Sequence, residues 1–217
     1  MTGFPGSPRI LKGGLALLDP QNGQVLRIIA LQYNPDTLTR TLQIRGIGQE
    51  GGDHLEALRL KGPPAETIKL DAEIDATDQL EIADSLTVQN GLHPLLAELE
   101  MIVHPSSAHL ISNNTQASAG SLEIIAAQSP LTVFIFGANR IVPVRITEFS
   151  ITEEAFDITL NPTRAKISLS LRVLTVDDLG FDVKGGNLFL AYLQSKEQLA
   201  AKAKAGSFGI LGINRIP

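Results

Sequence analysis

Few residues in this 217-residue chain have the types and spacing that chemistry needs. Gly46-Ile47-Gly48-Gln49-Glu50-Gly51 fits the letters of a dinucleotide-binding G-x-G-x-x-G loop, and Asp71 follows about twenty residues on, where a ribose contact would stand. The setting is wrong for it. The run before it alternates apolar with polar residues, whereas that fold needs a strand buried on both faces. Pro63-Pro64 stops any helix soon after. His54, His93, His104 and His109 include no helical i, i+4 pair, and no Cys supports them as zinc ligands. Asp71, Glu73, Asp75 and Asp78 resemble a D-x-D-x-D calcium loop in letters. Leu70, Ala72 and Ile74 interleave with them, however, and no Gly makes the sharp turn. Glu153-Glu154 and Asp177-Asp178 are adjacent carboxylates beside turns, and neighbouring strand residues point to opposite faces. No G-x-S-x-G nucleophile elbow occurs. Asn113-Asn114-Thr115 is a glycosylation sequon, discounted because Met1 to Pro20 lacks the apolar core of a secretion signal. The expectation is a protein without catalytic residues, metal or cofactor.

Composition agrees. Lys plus Arg is 18 against 23 Asp plus Glu, a formal charge of −5, so nucleic acid is not an expected partner. Without Cys there are no disulfides, thiolate chemistry or iron–sulfur clusters, which fits a reducing compartment. With no Trp and two Tyr, a stacking platform for bases or sugars is not expected. The longest uncharged apolar run, Ile124 to Asn139, is too short to cross a bilayer as a helix, so no membrane insertion is expected.

The elements read mainly as strands. Residues 1–14 form an irregular Gly- and Pro-rich arm. Leu15–Asp19 and Val25–Tyr33 flank Asp19-Pro20-Gln21-Asn22-Gly23 as a first hairpin. Leu38–Arg45 alternates. Ala65–Asp75 alternates most cleanly, with Ile68, Leu70, Ala72 and Ile74 on one face and Thr67, Lys69, Asp71, Glu73 and Asp75 on the other. A short helix follows at Asp78–Asp84, capped by Thr77. A central helix opens at Asn90 with Leu92, Leu95, Leu96, Leu99 and Ile102 in one stripe. Residues 104–120, rich in Ser, Asn and Ala, read as a long loop. Leu131–Phe136 pairs with Ile141–Ile151, whose apolar phase changes near Glu148, as at a bulge or bend. Lys166–Val173 alternates again. Asn187 is expected to cap a C-terminal helix running to about Ala205. The fold class is mainly β (α+β), an antiparallel sandwich or small barrel with a central and a C-terminal helix. Residues 15–180 form the β domain, and 181–217 form the helix and an apolar tail.

That tail carries Phe208, Ile210, Leu211, Ile213 and Ile216 without polar alternation. Soluble monomers avoid such exposed patches, so it either folds back on its own sheet or docks on a neighbour. Residues 46–64, with Leu55 and Leu58, and residues 104–120 are candidate interface arms.

An ordered series of segments resembles the tube-protein domain of contractile injection systems. It comprises Tyr33-Asn34-Pro35-Asp36-Thr37-Leu38, Ile68-Lys69-Leu70-Asp71, Pro94-Leu95-Leu96, Pro130 to Gly137, Val144 to Phe149, and Phe156-Asp157 through Asn161-Pro162 to Ile167. The series spans roughly residues 13–180; order and spacing carry it, not any single block. The resemblance implies a tail-tube-like barrel and an adaptor at the baseplate of a phage-tail-like particle. Six copies would form an inner-tube ring between the spike (hub) protein and the inner tube protein, beside other baseplate proteins. It implies synthesis in the bacterial cytoplasm and a place in the assembled particle. The chain departs from the family in two ways: it has a helix and apolar tail where many members carry a LysM module, and Phe136 where Trp is expected. In such a ring Asp71, Glu73 and Asp75 would line the lumen, and the tail with Leu55 and Leu58 would meet partners. The alternatives are the repeating tube protein itself, a small-ligand-binding or enzymatic β-barrel, and a cargo or chaperone module.

Overall fold

The structure is a computed structural model, and it describes residues 11–46, 59–120 and 129–216. Among the described residues seven strands make one antiparallel sheet: β1 (Gly14–Leu18), β2 (Val25–Ala30), β3 (Leu38–Gln43), β4 (Ala65–Asp75), β5 (Leu131–Ile135), β6 (Ile141–Phe156) and β7 (Pro162–Val173). Their order is β2-β1-β5-β6-β7-β4-β3. The helices are α1 (Thr77–Glu81), α2 (Ser85–Asn90), α3 (His93–Glu100), α4 (Ser107–Ser118), α5 (Val176–Leu179) and α6 (Lys184–Ala201), followed by a 3-10 turn at Phe208–Leu211. The α+β class is as expected. A closed barrel is not: β2 and β3 are the two edges of an open sheet.

The sheet nevertheless coils until its flanks meet. Leu15 and Ile29 from one flank face Ala72, Ile74, Ile167 and Leu169 from the other, with Leu95 and Leu99 of α3 between them. The Gln32 side-chain amide donates to the Asp75 carbonyl at 2.7 Å, and Asp75 N–H donates to Gln32 Oε1 at 2.9 Å. One side chain thus imitates a pair of ladder bonds where backbone pairing has ended. Asn34 makes a similar clasp, accepting from Gly13 N–H and donating to the Leu11 carbonyl.

Alternation decides which side is core. Ile68, Leu70, Ala72 and Ile74 of β4 meet Ile167, Leu169, Leu171 and Val173 of β7, with Phe134, Leu92, Leu96, Leu99, Phe189 and Tyr192 completing one cluster. A smaller cluster of Ala16, Leu18, Leu131 and Val133 lies under Leu179 and Leu188. Helix α3 covers the coiled sheet near the ends of β2 and β4. Helix α6 crosses the other end, where Gly186 packs so closely on Gly180 that an added Cβ would lie 1.9 Å from its carbonyl oxygen. The expected bulge is present: the β6–β7 register shifts between Ile146 and Glu148.

Several boundaries need correcting. Residues 107–118 are helix α4 rather than loop. Ser106 caps it by accepting from His109 N–H, and Thr115 and Ser118 hydroxyls bond back to carbonyls four residues earlier. Its Ser and Asn content masked the helix, because such side chains serve caps and turns as readily. Asn90 ends α2 rather than opening α3, whose N-cap is Leu92. Thr77 is the first residue of α1, not its cap, and its N–H and hydroxyl both bond to Asp75. Helix α6 starts at Lys184, three residues before Asn187, and ends at Ala201.

Candidate assembly surfaces

Among the described residues no three His, Cys, Asp or Glu side chains gather as a metal site would need. No helix among them is long and apolar enough to cross a membrane. The nucleotide-like loop begins at Gly46, which bridges to Leu60 as an extension of the β3–β4 hairpin. Its remaining glycines, and His54, Leu55 and Leu58, lie outside the described residues. Asp177 and Asp178 have structural partners. Asp177 ion-pairs with Arg45 at 3.2 Å, while Asp178 binds Arg172 at 2.6 Å and closes a capping box with Thr175. Glu153 and Glu154 are exposed at a register shift on β6.

The acidic stripe of β4 lies on the solvent face of the sheet and alternates with cations across the strands. Asp71 accepts from the Ser168 hydroxyl at 2.6 Å. Glu73 sits opposite Lys166 in register, and Asp75 binds Arg164 at 3.0 Å. Lys69 reaches Glu148 at 3.4 Å. Thr77, then Arg164, hold the Asp75 carboxyl below its usual range. The face is therefore a mixed-charge surface rather than a purely acidic one.

The tail does not fold back. Phe208, Ile210, Leu211, Ile213 and Ile216 are all exposed, Ile210 at 80 %. Other apolar side chains are uncovered too, Leu86 and Val88 of α2 and Leu110 and Ile111 of α4 among them. The edge strand β2 shows Val25, Leu26 and Ile28, and the β6–β7 turn shows Phe156, Ile158 and Leu160. That turn is rigid. The Asp157 carboxylate accepts from Asn161 N–H, Thr159 N–H, the Thr159 hydroxyl and the Asn161 amide. These donors, led by the Asn161 backbone, bring its pKa down to about 2. Asn161 also donates to the Gln89 carbonyl, tying the turn to α2. The sequence expectations place no interface at this turn. The signal was present, since Asp157 and Asn161 bracket a turn whose alternate residues are apolar.

A second feature escaped them. Glu66 stands in phase with Ile68 and Leu70, on the apolar face, and its side chain is 5 % exposed. Arg40 Nε donates to Glu66 Oε1 at 2.7 Å, Lys196 Nζ to Oε2 at 2.9 Å and Tyr192 Oη to Oε1 at 3.1 Å. Arg40 also donates to Tyr192 Oη, and Lys196 lies 3.9 Å from the Tyr192 ring centroid. Burial pushes the Glu66 carboxyl up, but Arg40 and Lys196 together outweigh it and leave the pKa below the ordinary value. This knot binds β3, β4 and α6.

Lys196 is at the Glu66 end of β4, and the chain leaves α6 shortly after it. The Phe156–Leu160 turn is at the other end, where Phe156 pairs with Pro162 and Arg164 with Asp75. No family model matches the chain, and no curated protein sequence matches it.

Proposed function

We propose that this protein is a structural component of a contractile injection system: a baseplate adaptor whose six copies form an inner-tube ring between spike and tube. The observation that carries the reading is the presence of uncovered apolar elements at opposite ends of one rigid sheet. Helix α6, which the tail follows, reaches Glu66 at one end of β4 through Lys196, and the Phe156–Leu160 turn is at the other end. A subunit with different sticky surfaces at its two ends makes heterologous contacts, and such contacts close into a ring or stack into a tube. The coiled antiparallel sheet, clasped by Gln32 and covered by α3 and α6, supplies the stiffness that a templating part needs. The ordered resemblance to the tube-protein domain points to the same role. In the ring, the mixed-charge face bearing Asp71, Glu73 and Asp75 would be turned to the lumen.

Native mass spectrometry of the purified full chain tests this, beside a form lacking Gly206 to Pro217. Six-subunit rings, or a monomer that joins isolated particles at one ring each, are expected. A long stack would assign the repeating tube subunit instead. A monomer that never enters a particle would overturn the assembly role.

A further inference from the structure

The tail carries a positive charge that the assembly reading leaves unused. From Gln198 onward the chain has Lys202, Lys204 and Arg215 and no acidic residue, although its overall formal charge is −5. Between those cations stand Phe208, Ile210, Leu211 and Ile213, all exposed. They sit on the 3-10 turn Phe208–Leu211 and just beyond it, with Gly206 and Gly212 flanking. The result is a shallow apolar cap with cations on both sides. The body where α6 meets β4 does not cancel that charge. Glu66 is enclosed by its own partners, Asp177 is on Arg45 and Asp178 is on Arg172. Lys61, which bonds to the Arg45 carbonyl, and Arg145, opposite Arg172, are exposed and have no acidic partner among the described residues.

These features suit a bilayer better than a protein groove. The cores of protein interfaces are poor in Lys and rely on close shape complementarity. A four-residue turn flanked by glycines offers little shape. A lipid–water interface asks only for apolar side chains at the acyl boundary and, where the lipids are anionic, for Lys and Arg at the headgroups. No helix among the described residues is long and apolar enough to cross a membrane, so the contact is of the kind that lies on the surface.

We propose that the tail docks on an anionic lipid surface, with Phe208, Ile210 and Leu211 in the headgroup–acyl boundary and Lys202, Lys204 and Arg215 on lipid phosphates. This goes beyond the assembly role and does not depend on it, since one tail suffices for binding. Near such a surface each cation contributes about fivefold in affinity, so three contribute on the order of a hundredfold. Six tails on one ring would act together and hold far more tightly than one.

The chain contains no Trp, so Phe208→Trp in the full-length protein is a lone reporter. Phe208 is 45 % exposed, and the change removes no core side chain. Its emission is followed as vesicles of phosphatidylglycerol with phosphatidylcholine are added, and again with vesicles of phosphatidylcholine alone. A blue shift, quenched by brominated acyl chains, is expected with the anionic vesicles only and should weaken as salt rises. In the same chain Lys202→Gln, Lys204→Gln and Arg215→Gln together should lower affinity on the order of a hundredfold. Ile210→Asp with Leu211→Asp should abolish the shift. Silence with anionic vesicles would overturn the proposal. So would an equal response to neutral vesicles, or either set of variants binding like the parent. So would a shift produced by a second copy without lipid that vesicles do not displace, which would make the occupant a protein. Native mass of the same samples separates this from the ring reading. Rings whose tails ignore vesicles would sink the docking alone, and a vesicle-binding monomer that never enters a particle would sink the assembly role alone.

Discussion

Replacing Glu66 with alanine removes one carboxylate and strands three donors. Hydrogen bonds to charged groups contribute about 1.5–3 kcal/mol each, so the Arg40 and Lys196 bonds alone suggest about 3–6 kcal/mol. Two effects reduce that. Burying the carboxylate costs several kcal/mol, and the mutation relieves it. Arg40 and Lys196 side chains are 29 % and 33 % exposed, so both can rehydrate when freed. The expected loss is about 2–3 kcal/mol, below the 3–5 typical of breaking a fully buried pair. For a chain of this size that lowers Tm by roughly 5–10 °C. Glu66→Gln keeps the shape and one acceptor and should lose about half as much. Urea unfolding of the wild type, both variants, and Arg40→Ala and Lys196→Ala combined with Glu66→Ala would measure the couplings. The acid response follows from the lowered pKa. A carboxyl whose folded pKa lies below its unfolded value contributes stability above the unfolded value and loses it as pH falls through the folded one. The wild type should therefore lose stability below about pH 4.3 more steeply than Glu66→Gln does. A loss under about 0.5 kcal/mol for Glu66→Ala, the scale of a surface pair, would refute the claim that this carboxylate is dry and shared by three donors.

Other outcomes follow from the same geometry. Gly186→Ala would gain up to about 1 kcal/mol on helix propensity alone, yet it should destabilise, because the new Cβ meets the Gly180 carbonyl; thermal unfolding gives the sign. Gln32→Ala opens the flank clasp and should cost about 1–2 kcal/mol, with hydrogen exchange faster at Asp75 than in the middle of β4. Deleting Gly206 to Pro217 removes no buried side chain among the described residues, so monomer Tm should hold while self-association falls; a large drop in Tm would mean that the tail packs on its own subunit. Asp157→Ala should speed amide exchange at Thr159 and Asn161 without altering the core, and unchanged exchange there would mean the turn is held by other contacts.

Much of the fold is written locally. The period-2 runs of β4 and β7 stand where the alternation puts them, because a strand with one buried face must alternate. The irregularity near Glu148 is legible because a phase change in apolar residues within one strand needs a bulge or a bend, and the register shift makes it a bulge. The apolar tail is legible as a patch needing cover. Helix α4 was not legible, since its Ser and Asn residues suit caps and turns equally and no apolar stripe disambiguates them. Glu66 was visible only as a misplaced charge in an apolar phase. Its partners come from residues 26 and up to 130 positions away, which no local pattern encodes. The opposite-ended placement of Lys196 and the β6–β7 turn, and the open edges of the sheet, likewise depend on how far the sheet coils. The coiled sheet packs on α3 and α6 through residues far apart in the chain. Sequence periodicity specifies which face of each element is apolar; only tertiary packing decides which apolar faces find cover within the chain and which are left for another molecule.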